Sequence, residues 1–66
     1  MSSEKDFVSI YNDVFDQNGN IKPCGRTITS KLIELAQVLK PGIDFGNKNT
    51  GVMNVVNIKA LFSELK

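Results

Sequence analysis

Apolar residues in this 66-residue chain recur at intervals of three and four rather than two. That spacing limits the fold more than any other feature, because it matches the 3.6-residue turn of a helix and not the pleat of a strand. Phe7, Ile10, Tyr11 and Val14 fall at i, i+3, i+4 and i+7, and Phe15 extends the stripe. The spacing predicts a first helix over residues 3–15. Ser2 or Ser3 is expected to cap it, and Glu4 and Asp6 place negative charge at the favourable end of its dipole.

A second stripe, Ile28, Leu32, Leu35, Ala36 and Leu39, predicts a central helix over 27–40. Ile33 and Val38 widen that stripe enough to occupy two neighbours. Thr27, Thr29 and Ser30 are the cap candidates, and Pro41-Gly42 is the stop signal. A third stripe, Ile58, Leu61, Phe62 and Leu65, predicts a helix over 57–65. Asn57 is its expected N-cap, with Val56 and Leu61 at the staple positions.

Between these stripes the chain is turn-forming. Asp16-Gln17-Asn18-Gly19-Asn20 holds an Asn-Gly pair that tolerates positive φ. Residues 21–26 connect onward, extended at Lys22 because Pro23 follows, and able to pair briefly as a strand. Residues 46–51 are a polar loop flanked by Ile43 and Phe45 before it and by Val52, Met53, Val55 and Val56 after it. A short hairpin over about 43–55, with strands near 43–45 and 52–55, is therefore expected. The fold class is mainly α: a small three-helix domain, 1–66, with that hairpin before the last helix. An α+β arrangement is the alternative.

Composition narrows function by exclusion. There is no His or Trp, and one cysteine, Cys24. A single thiol makes no internal disulfide, and without His it is a poor start for a zinc site. Neither a metal nor a cofactor is expected. The formal net charge of +1 provides no long-range field for DNA or an anionic membrane. No apolar run approaches the ~20 residues that span a bilayer, and the amino end lacks the basic and apolar regions of a signal peptide. A cytoplasmic protein is expected, and a lone thiol suits that reducing compartment.

Four motifs invite chemical readings that their own residues argue against. Gly46 and Gly51 have the spacing of a phosphate-binding loop, but Val52 and Met53 stand where Lys and Ser or Thr are required. Asp16 to Asn20 resembles the start of an EF-hand loop, but the sixth residue is Ile21 and the twelfth Thr27, where Gly and a bidentate Glu are needed. Residues 31–36 (Lys-Leu-Ile-Glu-Leu-Ala), Ile43 and residues 56–59 (Val-Asn-Ile-Lys) resemble the sugar-phosphotransferase carrier HPr. That family carries phosphate on a His before its first helix and often has a regulatory Ser. The matching positions here hold Gly25 and Ala60, which accept no phosphoryl group. Asp6, Asp13, Asp16, Glu34, Asp44 and Glu64 show no spacing that pairs two of them on one apolar face, so solvated surface is their expected role.

Two surfaces and one thiol remain. The wide face of the central helix (Ile33, Val38) and the polar loop (Asn47, Lys48, Asn49, Thr50) form the candidate interaction surface. Lys22, Arg26 and Lys31 form a candidate basic patch at the start of that helix. Cys24, flanked by Lys22 and Arg26, is a free thiol whose thiolate those charges would favour, but no His can serve as its base. The expected function is non-enzymatic: a small adaptor, inhibitor or regulator acting through protein–protein contact, with another protein or a second copy as homodimer partner. Nucleic-acid binding through the basic patch is the alternative.

Overall fold

Helices take up most of this computed structural model, which describes residues 2–23 and 25–65. The order is α1 (Ser2–Val14), α2 (Arg26–Leu39), β1 (Gly46–Asn47), β2 (Val52–Met53) and α3 (Val55–Leu65). The three helical stripes and the hairpin before the last helix thus appear as the sequence predicts. The core collects Phe7, Tyr11, Val14 and Phe15 from the first segment, Leu32, Ile33, Leu35 and Ala36 from α2, Phe45 from the hairpin approach, and Ile58 and Leu61 from α3. α1 packs chiefly against α2, and α3 closes the remaining side.

Tyr11 connects these layers. Its ring stacks on Phe62 of α3 at 3.8 Å with planes 4° apart, and sits 4.5 Å from the Phe15 ring. Lys59 lies over the other aromatic end, its Nζ 5.6 Å from the centre of Phe15. An exposed ion pair, Lys40 Nζ to Glu64 Oε1 at 2.8 Å, ties the ends of α2 and α3 together. Such a pair contributes only ~0–1 kcal/mol, so burial is the main source of stability.

Local chemistry moves several boundaries. The cap position of α1 falls on residue 1, outside the described residues, and Ser3 lies within the first turn. α1 ends at Val14, and Phe15 instead forms an antiparallel bridge with Ile21. The Asp16 carboxylate closes that turn, its Oδ1 accepting the backbone N–H groups of Asn18 and Asn20 at 2.9 Å each. This aspartate is a turn former, as its sequence context implies.

α2 starts one residue early, at Arg26, and its N-cap is Gly25 at φ −78°, ψ 159° with no side-chain cap. Thr27, Thr29 and Ser30 therefore do not cap it. Thr29 Oγ1 donates back to Arg26 O at 2.9 Å, and Ser30 Oγ donates to Lys48 O at 2.6 Å. Ile33 is fully buried in the core and is withdrawn from the candidate interaction surface. Ile28 is exposed while Thr29 is buried, so the expected stripe holds at Leu32, Leu35 and Ala36 and shifts by one position only in the first turn. The cause is the hairpin, which lies across the first turn of α2 and covers position 29.

Two glycines allow that approach. A Cβ on Gly51, at φ +77°, would lie 2.6 Å from Arg26 Cγ and 2.8 Å from Thr29 Oγ1. A Cβ on Gly46, at φ +119°, would collide with the backbone of Val52 and Met53. The strands pair Gly46 with Met53 and Asn47 with Val52. The first strand thus falls at 46–47 and not 43–45, because it is the glycine that fits against β2. α3 also begins earlier than expected. Asn54 caps it, with its backbone O accepting Ile58 N–H at 3.0 Å and its Oδ1 accepting Asn57 N–H at 3.3 Å. Asn57, the expected cap, donates Nδ2 to Asp44 O at 2.7 Å instead. Val56 is 76% exposed and staples nothing; Met53 and Ile58 hold the N′ and N4 positions, and both pack in the core.

Three stability measurements test this packing. Gly51→Ala should lower unfolding free energy by about 2 kcal/mol or more, from left-handed strain plus displacement of the Arg26 stem and Thr29; urea denaturation reads it. Gly25→Ser should raise it by a few tenths of a kcal/mol, because the backbone already has N-cap geometry and open space for a side chain. Burial raises the pKa of Tyr11, the only tyrosine. The folded state therefore holds the phenolic proton more tightly than the unfolded chain does. This contribution is complete below the unfolded value near ~10 and is lost as pH climbs through the folded value. Phenolate absorbance should rise at higher pH in the folded protein than in urea.

Candidate functional site

The connection after α1 runs beside the hairpin, and a groove of about 560 Å³ opens between them. One wall is Ile21, Lys22, Pro23 and Arg26; the other is Thr50, Gly51, Val52, Met53 and Val55, with Thr29 between them. The Ile21 wall is held by its bridge to Phe15 and by Lys22 N–H donating to Val14 O at 2.7 Å. Pro23 keeps the preceding residue extended, so Lys22 continues the line of Ile21 instead of entering a helix.

The opposite wall is positioned by the close contact of Gly51 with α2. The stem of Arg26 lies where a Cβ on residue 51 would fall, so the hairpin orients Arg26 from below. Asn47 shapes the turn, with its Oδ1 accepting Asn49 N–H at 2.8 Å and its carbonyl accepting Gly51 N–H at 2.8 Å. Val52 then projects beside the groove. It is 67% exposed, and Ile21 across from it is 52% exposed. Two β-branched aliphatics left in water on facing walls carry an unmet hydrophobic driving force, roughly 25 cal/mol per Å² covered.

The charges here have one sign. Among the described residues, Lys22 and Arg26 line the groove and no carboxylate does. Neither forms an ion pair with a carboxylate among the described residues. Lys40 and Lys59, in contrast, are engaged by Glu64 and by the Phe15 ring. The amino end of α2 opens beside Arg26 with no acidic residue in its first turn, which adds the positive end of the helix dipole. Thr29 offers the groove no free donor, its hydroxyl proton being given to Arg26 O.

Among the residues singled out from sequence, the structure brings together Lys22, Arg26 and Thr50 in this groove. Lys31 is not with them. Five residues beyond Arg26, it is turned roughly 140° around the helix axis. Val38, 64% exposed, lies about 18 Å along the helix from Arg26 at 1.5 Å per residue, far from the hairpin. Asn47 lines a separate, more open depression with Asp44, Gly46 and Asn54, which adjoins the groove through the shared residues Val52 and Met53. Lys48 and Asn49 remain exposed turn residues, and Lys48 anchors the turn to Ser30 through its carbonyl. Cys24 lies outside the described residues. A further depression beside the 16–20 turn is lined by Asn12, Phe15, Asp16, Gln17, Asn18 and Lys22, and mixes both charge signs with one aromatic edge.

Ile21, Pro23, Val52, Met53 and Val55 are the site residues that sequence reasoning missed. A signal existed: Ile21 and Val52 are apolar, flank turns, and belong to no helical stripe. No helix among the described residues is long and apolar enough to cross a membrane. The chain matches no protein-family model, no curated protein and no solved structure.

Proposed function

We propose that this chain is a small, non-enzymatic protein-binding module of the cytoplasm, and that the groove between residues 21–26 and the hairpin is its contact surface. The observation that carries this reading is the pairing of exposed Ile21 and Val52 across one groove with Lys22 and Arg26 on its rim. An apolar centre edged by charge is the usual anatomy of a protein interface. The groove is open, so its walls suit side chains of a macromolecule better than a small molecule, which is ordinarily enclosed over most of its surface.

Two further features favour binding over catalysis. The carboxylates with structural partners are occupied as scaffold: Asp16 closes a turn, Asp44 Oδ1 accepts Gly46 N–H at 3.0 Å, and Glu64 pairs with Lys40. Among the described residues, the ionisable groups that line the groove are the two cations. The nucleic-acid alternative draws less support. Two cations neutralise two phosphates at most, a salt slope of about −1.8, where proteins that depend on such contacts make about 6–10. The aromatic rings are committed to the core or stacked on it, so none stands in the groove for a base to stack on.

A photo-crosslinking amino acid tests the surface. Placed at Val52 in cells that express the protein, it should yield one recurrent protein adduct, and the same group at Val38 should not. Adding Ile21→Asp should abolish that adduct while the circular dichroism of the purified chain stays unchanged, since Ile21 is half exposed. Equal adducts from both positions, or adducts indifferent to Ile21→Asp, would refute the groove as the contact surface.

A further inference from the structure

The chemistry of the groove also specifies its occupant. We infer that it takes a short linear segment of another protein in which a carboxylate neighbours an aliphatic or aromatic side chain. This rests on the protein-binding reading above and adds the identity of the ligand class.

The charge argument comes first. Lys22 and Arg26 flank the Ile21 wall, no carboxylate among the lining residues answers them, and the open amino end of α2 reinforces their sign. Asp16 shares the adjoining depression with Lys22 and offsets part of its charge, although its Oδ1 also accepts two backbone N–H groups of its own turn, so Arg26 is the principal cation offered to a ligand. An Arg with its stem braced against Gly51 loses less freedom on gripping a carboxylate than an unsupported one. The neighbouring apolar requirement comes from Ile21 and Val52, which gain by being covered and would be left wet by a purely acidic ligand.

Size decides between a segment and a folded surface. A standard interface buries ~800 Å² on each partner, close to a fifth of the 4296 Å² this molecule exposes. Ten of the described residues bound the groove. Its dimensions suit a few consecutive side chains. The open mouth and the exposed Ile21 and Val52 let a few protruding side chains reach both walls.

Panning a phage-displayed library of random twelve-residue peptides against the full chain tests this. Selected sequences should be enriched in Asp or Glu beside Leu, Ile, Val or Phe. Synthetic copies, followed by fluorescence anisotropy, should bind the double variant Lys22→Gln/Arg26→Gln roughly tenfold more weakly, the order expected for two exposed charge pairs. They should lose binding to Val52→Asp and weaken as salt rises. Peptides that need Val52 but ignore the double variant, with no acidic enrichment, would overturn the ligand class and leave the groove standing. Peptides that bind Val52→Asp as well as the parent would remove the groove itself. A library yielding no binder, or a random RNA oligonucleotide held in place of any peptide and released by the double variant, would also overturn the inference.

Discussion

Burial of one aromatic stripe between helices is the interaction on which everything else rests. A chain of this length recovers little apolar area against an ordering cost of ~1.5 kcal/mol per residue. With one cysteine it cannot add an internal disulfide. Phe7, Tyr11, Val14 and Phe15 fill the space beside Leu32, Ile33 and Ala36, and the Tyr11–Phe62 stack brings α3 to the same cluster. Lys40–Glu64 and the Lys59–Phe15 contact secure the periphery, but exposed charges of this kind add little on their own. The helices hold because their inner faces have nowhere drier to go.

The groove is a by-product of how the hairpin meets that core. β1 and β2 are too short to stabilise themselves. They are held by Asn57 to Asp44, Ser30 to Lys48, Phe45 in the core, and above all by the absence of a side chain at Gly51. Val52 of β2 and Ile21 of the extended run Ile21 to Pro23 line the same groove and stay exposed. The same contact that moves Thr29 inside places Arg26 on the rim. Fold and candidate site are therefore one arrangement.

How much of this could be read from the chain differs by element. The three helical stripes were legible because each contains four or more apolar residues in phase, and the turn at Asp16 to Asn20 because Asp and Asn-Gly act locally. The exchange of Ile28 for Thr29 in the first turn of α2 was not legible. Ile28 is the more apolar candidate, and only a covering hairpin makes Thr29 the buried neighbour. Asn54 and Asn57 are both credible caps by residue type, and the choice falls to Asn54 because Asn57 is drawn away to Asp44 O. Of the site, Lys22 and Arg26 were visible as charges and Thr50 as loop, but Lys31 appeared equivalent to them. Separating them needs the direction each side chain takes around a helix.

The sequence by itself determined the helices and their inner faces, the turns and the scarcity of catalytic groups, since these follow from residue type and spacing within one or two turns of chain. Only the tertiary structure decided which apolar residues stay in water and which cations share a rim with them. Those outcomes depend on where segments some thirty positions apart in the chain come to lie, such as those of Ile21 and Val52, which line one groove, and no local preference encodes where such segments meet.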